Sequence, residues 1–382
     1  MRRVMTIVLL FAGFVQGPAQ VRFEAQVVDD GVQIGYGVAV ADVDGDGKPD
    51  LLLVDRRRIS WYRNPDWKRF SMAERLTKRD HVCIAARDID GDGKIEVAVG
   101  GQWNPGDTTD SKESGSIHVL KRPTDPTKLW TSVRLDHEPT VHRMRWVRVR
   151  GGGCELVVLP LHGRGDRGGR GDGVRVRAYR PVVEGKPWTS TLLDDGLHLT
   201  HNLDPVSWDD DPEEELVVGS REGLMLLDRA DDGWKRTVLV GGEHGGAGEV
   251  RVGRLGDVRM IAAVEPMHGA RLAVYVDHGG KLQRHVLAED LAQGHALACG
   301  DLLGIGRDQI VVGWRAPNAK KERGVRLYVP DQKGADWRMH RVDGVSMACE
   351  DLRIADLDGD GRLDIVAAGR ATHNLKIYWN RK

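Results

Sequence analysis

Three stretches of this chain repeat one pattern almost letter for letter: DVDGDGKPD from Asp42, DIDGDGKIE from Asp88 and DLDGDGRLD from Asp356, each followed by an apolar run (LLLV, VAVG, IVAAG). Worn copies lie between them, at Arg148 to Leu159, Ser207 to Gly219, Arg254 to Val264 and Asp301 to Gly313. The 314 residues from Asp42 to Asp356 thus hold six intervals of about 52 residues, and internal repeats of that period mark solenoids, propellers or arrays. Each copy has a short alternating strand before the Asp loop, the apolar strand after it, a third strand such as ISWYRNP or LKIYWNR, and a fourth, often opened by Trp. Only six fourth strands follow their copies. The missing one is supplied by Val21 to Val28, which stands alone before the first copy and can complete the last sheet. The expectation is an all-β, seven-bladed β-propeller spanning residues 20–382 and closed by the N-terminal strand, because closure removes the exposed edges of an open array.

Oxygen ligands at alternate positions, with Gly allowing the turn, suit a hard cation of the Ca²⁺ kind. The ligands would be Asp42, Asp44, Asp46 and Asp50 in the first loop, Asp88, Asp90, Asp92 and Glu96 in the second, and Asp356, Asp358, Asp360 and Asp364 in the last. An EF-hand needs Glu at the twelfth position, where Leu53, Val99 and Ala367 stand. The worn copies have lost most carboxylates and are expected to bind nothing. A cation joining two strands of one blade is a staple more than a reagent. The loops resemble the FG-GAP or VCBS repeats of integrin-like propellers, which implies calcium between the first two strands of a blade.

The Asp loops share one face of the disc, so the start of each first strand and the end of each second strand share the other. Six residues before each loop stand Tyr36, Val82, His142, His201, Gly248, His295 and Glu350, with His81 and Glu249 one place off, a displacement a bulge could absorb. Innermost strands line the channel of a propeller, so these residues converge. Imidazoles with an open position suit a catalytic Zn²⁺, and His81, His142, His201 and His295 are the expected ligands. The exits of the second strands carry Trp103, His162, His268 and Arg315 on the same face. Aromatic planes and forked donors in a cleft suit carbohydrate recognition.

Composition narrows the partners. The 56 basic and 57 acidic side chains cancel to a formal charge of −1, which leaves no one-signed field for nucleic acid or a membrane surface. Arg2 and Arg3, the apolar run Val4 to Val15 and the small residues to Ala19 read as a signal peptide cut after Ala19, too short to span a bilayer. The expected location is secreted or periplasmic, with no membrane partner after cleavage; oligomeric state is left open. Cys83, Cys154, Cys299 and Cys349 sit in or beside apolar segments, as free thiols do.

The stretches DHVCIAARDIDGDG, EPTVHRMRW, LPLHGRG, LHLTHN, VEPMHG, QGHALACGDLLG, IVVGWR and AAGRATHNLKIYWN resemble the propeller domain of the aldos-2-ulose dehydratase family, from about Val21 to Asn380. The resemblance implies a zinc-dependent dehydratase of small keto-sugars such as glucosone or 1,5-anhydrofructose. On that reading Glu350 and His268 are candidates for the acid and base of a β-elimination, with Arg143, Arg315, Trp103 and His162 against the substrate. A non-catalytic, calcium-stapled propeller for glycan binding or adhesion, and a lyase acting on 3-keto-glycosides, are the competing readings.

Overall fold

The computed structural model describes residues 21–181, 187–209, 211–230 and 233–381, so the expected signal segment lies outside the described residues. Seven four-stranded antiparallel sheets follow one another along the chain. Their innermost strands, from blade one to blade seven, are Gly37–Ala41, Cys83–Arg87, Val141–Arg148, Thr200–Val206, Val250–Leu255, Gly294–Gly300 and Cys349–Ala355. Each packs against the next and the seventh returns to the first, so the ring closes around an axial channel. The outermost strand of blade seven is the N-terminal Phe23–Asp29, paired antiparallel with Asn374–Asn380. The expected architecture and its closure are both present.

The apolar run after each Asp loop becomes the second strand of its blade, covered on both faces by neighbouring sheets. Leu51, Leu52, Leu53 and Val54 are accordingly all buried, and Leu52 shares a core with Trp61 of its own blade and Val97 and Ile117 of blade two. Truncating such a side chain costs about 2–5 kcal/mol. The glycine ending several of these runs has a packing reason: a Cβ on Gly313 would lie 2.3 Å from Cys349 Sγ, and one on Gly219 would lie 2.6 Å from the Gly248 carbonyl. The next blade approaches too closely for a side chain. All four cysteines are free, and three of them are buried. Among the described residues no helix is long and apolar enough to cross a membrane.

Candidate functional site

Four of the seven innermost strands carry a β-bulge at their second residue, and the residue extruded is each time the one that fell in register in the sequence. The pairing skips His142, His201, His295 and Glu350 in blades three, four, six and seven. The strands of blades one, two and five pair without such a slip within their own bounds. Just before the blade-five strand, Val264 bonds both the Gly248 N–H and the Glu249 carbonyl, two residues against one, and Glu249 reaches the cluster as expected; His81 does not. A bulge leaves one residue unpaired and re-aims its side chain. In three blades a left-handed non-glycine residue stands two places earlier, Thr140 (φ 55°), Leu199 (φ 51°) and Gln293 (φ 60°). Such conformations cost on the order of 1–3 kcal/mol each and persist where the surroundings over-determine them.

The outcome is a buried imidazole cluster. His201, His268 and His295 each offer a ring nitrogen, all within 4.8 Å of one another. His201 Nε2 faces His268 Nε2 at 2.9 Å. The His295 ring lies 4.7 Å from His268 and 5.0 Å from His201, centroid to centroid. Outside the cluster two of the remaining nitrogens meet an oxygen: His295 Nδ1 donates to the Glu350 carbonyl at 2.6 Å, and His201 Nδ1 lies 3.0 Å from Glu249 Oε1 as an ion-pair contact, not a hydrogen bond. Holding one nitrogen by a carbonyl or carboxylate and leaving the other open is how metal-binding imidazoles are oriented. Burial first depresses the basicity of all three, His268 to about 2; neighbouring guanidiniums add to it, and at His201 Glu249 opposes it. The rings are therefore neutral, the form that coordinates metal. Three neutral imidazoles are a donor set that fits a divalent ion.

The expected site residues divide around this cluster. His142 stacks on Trp103 (5.0 Å) and packs tilted against His201 (4.7 Å), but its nitrogens are committed, Nδ1 donating to the His201 carbonyl and Nε2 facing Arg143 Nη1 at 3.1 Å. His142 and Arg143 thus form a wall of the site, and His268, expected as an acid or base, takes the third ligand-like place. His81 is elsewhere. Its backbone N–H donates to the Arg56 carbonyl, both its ring nitrogens are buried without a partner, and burial lowers its pKa to about 4. Blade two has no bulge to turn it inward. Glu350 is buried beside the cluster, 4.0 Å from His295 Nε2, and is bracketed by Arg315 (3.1 Å) and Arg370 (3.0 Å). His162 is taken by Asp166 at 3.1 Å on the same face, as is His198 by Glu222 at 2.9 Å. Arg370 and His198 were not singled out in the sequence. Glu249 was expected on this rim, one place off the register, but with no role assigned, and it lies against His201.

On the opposite face the Asp loops gather smaller sets than expected. Asp42, Asp44 and Asp50 lie within 4.8 Å of one another, as do Asp88, Asp90 and Glu96, and Asp356, Asp358 and Asp360. Asp46 and Asp92 turn to Lys48 and Lys94 instead. Asp364 is buried and accepts from the Leu357 and Asn380 amides. In the fourth copy, expected to be empty, Asp209, Asp211 and Glu215 come equally close. Burial and the neighbouring carboxylates raise Asp50 to about 6 and Glu96 to about 7, the like-charge penalty that a bound cation would relieve.

Residues 23–99 match the FG-GAP-like repeat, and residues 114–278 match the beta-propeller domain of aldos-2-ulose dehydratase. Aldos-2-ulose dehydratase of Phanerodontia chrysosporium is 24% identical over 347 residues, covering 82% of this chain and 38% of that protein. The chain therefore spans about two-fifths of the length of that relative. Among solved structures, a chain of the mitotic checkpoint complex aligns with a TM-score of 0.60 at 11% identity, covering 99% of both chains. The exotype rhamnogalacturonan lyase YesX aligns with a TM-score of 0.51 at 13% identity, over 94% of this chain and 72% of its own. At those identities the likeness is one of fold alone.

Proposed function

We propose that this chain, whose propeller is of the aldos-2-ulose dehydratase kind, is an exported, metal-dependent lyase that dehydrates small keto-sugars by β-elimination. The observation that carries this reading is the convergence of His201, His268 and His295, drawn from three blades, on one buried point. The carbohydrate assignment rests on the relative, an aldos-2-ulose dehydratase by name. The Nε2 atoms of His201 and His268 and the open nitrogen of His295 would hold the ion, zinc on the chemistry of an all-imidazole set. When bound there, such an ion supplies Lewis-acid polarisation of a ketone oxygen.

The chain's own groups do the rest. Glu350 is the carboxylate placed to take the C–H proton next to the ketone, and Arg315 and Arg370 hold its oxygens at 3.1 and 3.0 Å. The electron pair of that C–H bond forms the C=C bond as the neighbouring C–O bond breaks. The departing hydroxyl leaves as water with a proton from the rim, where His162 and His198 are each oriented by a carboxylate. Arg143, fixed on His142, and Trp103, stacked on it, wall the site and face the sugar. The Asp42, Asp88 and Asp356 loops hold calcium as staples of their blades.

Turnover of 1,5-anhydrofructose, followed as enone absorbance, is the test. Metal-stripped protein is expected to lose it and zinc to restore it. Undiminished turnover in metal-free protein that remains folded would reject the reading.

A further inference from the structure

The axial channel holds a second polar centre on its Asp-loop side. A cavity of about 230 Å³ is walled by the small side chains of Ala39, Ala85 and Ala86 from blades one and two, and by Arg87, Arg145 and Arg353 from blades two, three and seven. No acidic residue lines it. The three guanidiniums are not equally compensated. Arg87 is paired with Glu214 at 2.7 Å, and Arg353 with Asp351 at 2.8 Å. Arg145 has no carboxylate within ion-pair reach among the described residues; it donates to the Met144 carbonyl at 2.8 Å and to Asn202 Oδ1 at 3.0 Å. Burial, and then Arg353 and Arg251 facing it, pull this guanidinium down to about 9. The half-buried Arg145 guanidinium, without a carboxylate of its own, is free to pair with an anion in the cavity.

We propose that this cavity is a binding site for a small oxyanion, a phosphate, sulfate or carboxylate group, held by Arg145 and Arg353 against the alanine wall. Forked guanidiniums match such oxygens bidentately. The volume is below the roughly 300–1,000 Å³ of pockets that enclose drug-sized ligands, so the anion is small. The site is also connected to the imidazole cluster. Arg145 reaches Asn202, Asn202 Nδ2 donates to Glu249 Oε2 at 2.6 Å, and Glu249 Oε1 lies 3.0 Å from His201 Nδ1. An anion on Arg145 therefore sits three contacts away from the orientation of His201.

The proposal is independent of the keto-sugar reading, and its test reads binding, not turnover. Inorganic phosphate, sulfate and acetate are titrated into the full chain at constant ionic strength, with chloride as the control, and thermal unfolding is recorded. A saturable rise in Tm of about 2 °C at roughly tenfold the dissociation constant is expected for a chain of this size. It should vanish in Arg145→Met. It should vanish also in Ala85→Leu, which keeps every arginine and fills the cavity from the opposite wall. The absence of a saturable shift with all three oxyanions, or a shift surviving in folded Ala85→Leu protein, overturns the assignment.

Discussion

The two clusters of ligand-type side chains are built in opposite ways. Each Asp loop draws its carboxylates from nine consecutive residues, from an exposed turn to a buried or half-buried last position, between two strands of one blade. The imidazole cluster draws His201, His268 and His295 from blades four, five and six, with His201 and His295 buried and His268 half-buried. A loop can form its site once its own hairpin folds. The cluster exists only when the ring has closed around it. The first arrangement suits a staple and the second a reaction centre, because only the second gathers neutral imidazoles from separate blades at one point.

The sharpest way to break this comparison is to remove a member of the cluster. His295→Ala is expected to lower turnover by more than about 100-fold while the far-ultraviolet circular dichroism and Tm stay near wild type; metal content and kinetics on one preparation decide it. A milder change acts one layer out. Glu249→Gln leaves the three imidazoles in place but weakens the hold on His201 Nδ1, and metal affinity should fall about 10- to 100-fold, read by competition with a chelator. On the other face the sign of the effect changes from activity to stability. Asp50→Ala strips the acceptor from the buried Val43 and Asn64 amides and should cost about 1–3 kcal/mol in denaturant unfolding with little change in kcat. The smallest effect is expected in the fourth copy: Asp209→Asn, on an exposed loop, should move stability by less than about 0.5 kcal/mol. A drop in kcat from Asp50→Ala as large as that from His295→Ala would erase the distinction between staple and centre.

The bulges explain why part of the site was readable in the chain and part was not. The six-residue offset from the Asp loop correctly brought His201, His295 and Glu350 to one rim, because the repeat period carries register from blade to blade. It left His81 one place off, and only a supposed bulge brought His81 in. A one-residue slip in pairing leaves the alternating pattern of a short inner strand nearly unchanged, yet it decides whether a side chain enters the channel. Nor could it assign His268, which comes from a turn between the second and third strands of blade five, outside the periodic segments. The pairing of Arg143 with His142 is equally a matter of packing, since a guanidinium beside an imidazole in sequence is as often directed to solvent.

What the amino-acid sequence determined by itself was everything that repeats: seven blades, the orphan first strand that closes the ring, the Asp loops and the face each loop occupies. Apart from the closure, which pairs the first strand with the last, those features depend on neighbours within some 50 residues and on alternation of apolar side chains, so short-range rules recover them. Tertiary structure alone decided which imidazoles meet, which nitrogen of each stays open, and that Arg145 is left without a carboxylate beside a small cavity. These outcomes turn on contacts between residues far apart in the chain, and on strand slips of a single residue, which only the closed ring specifies.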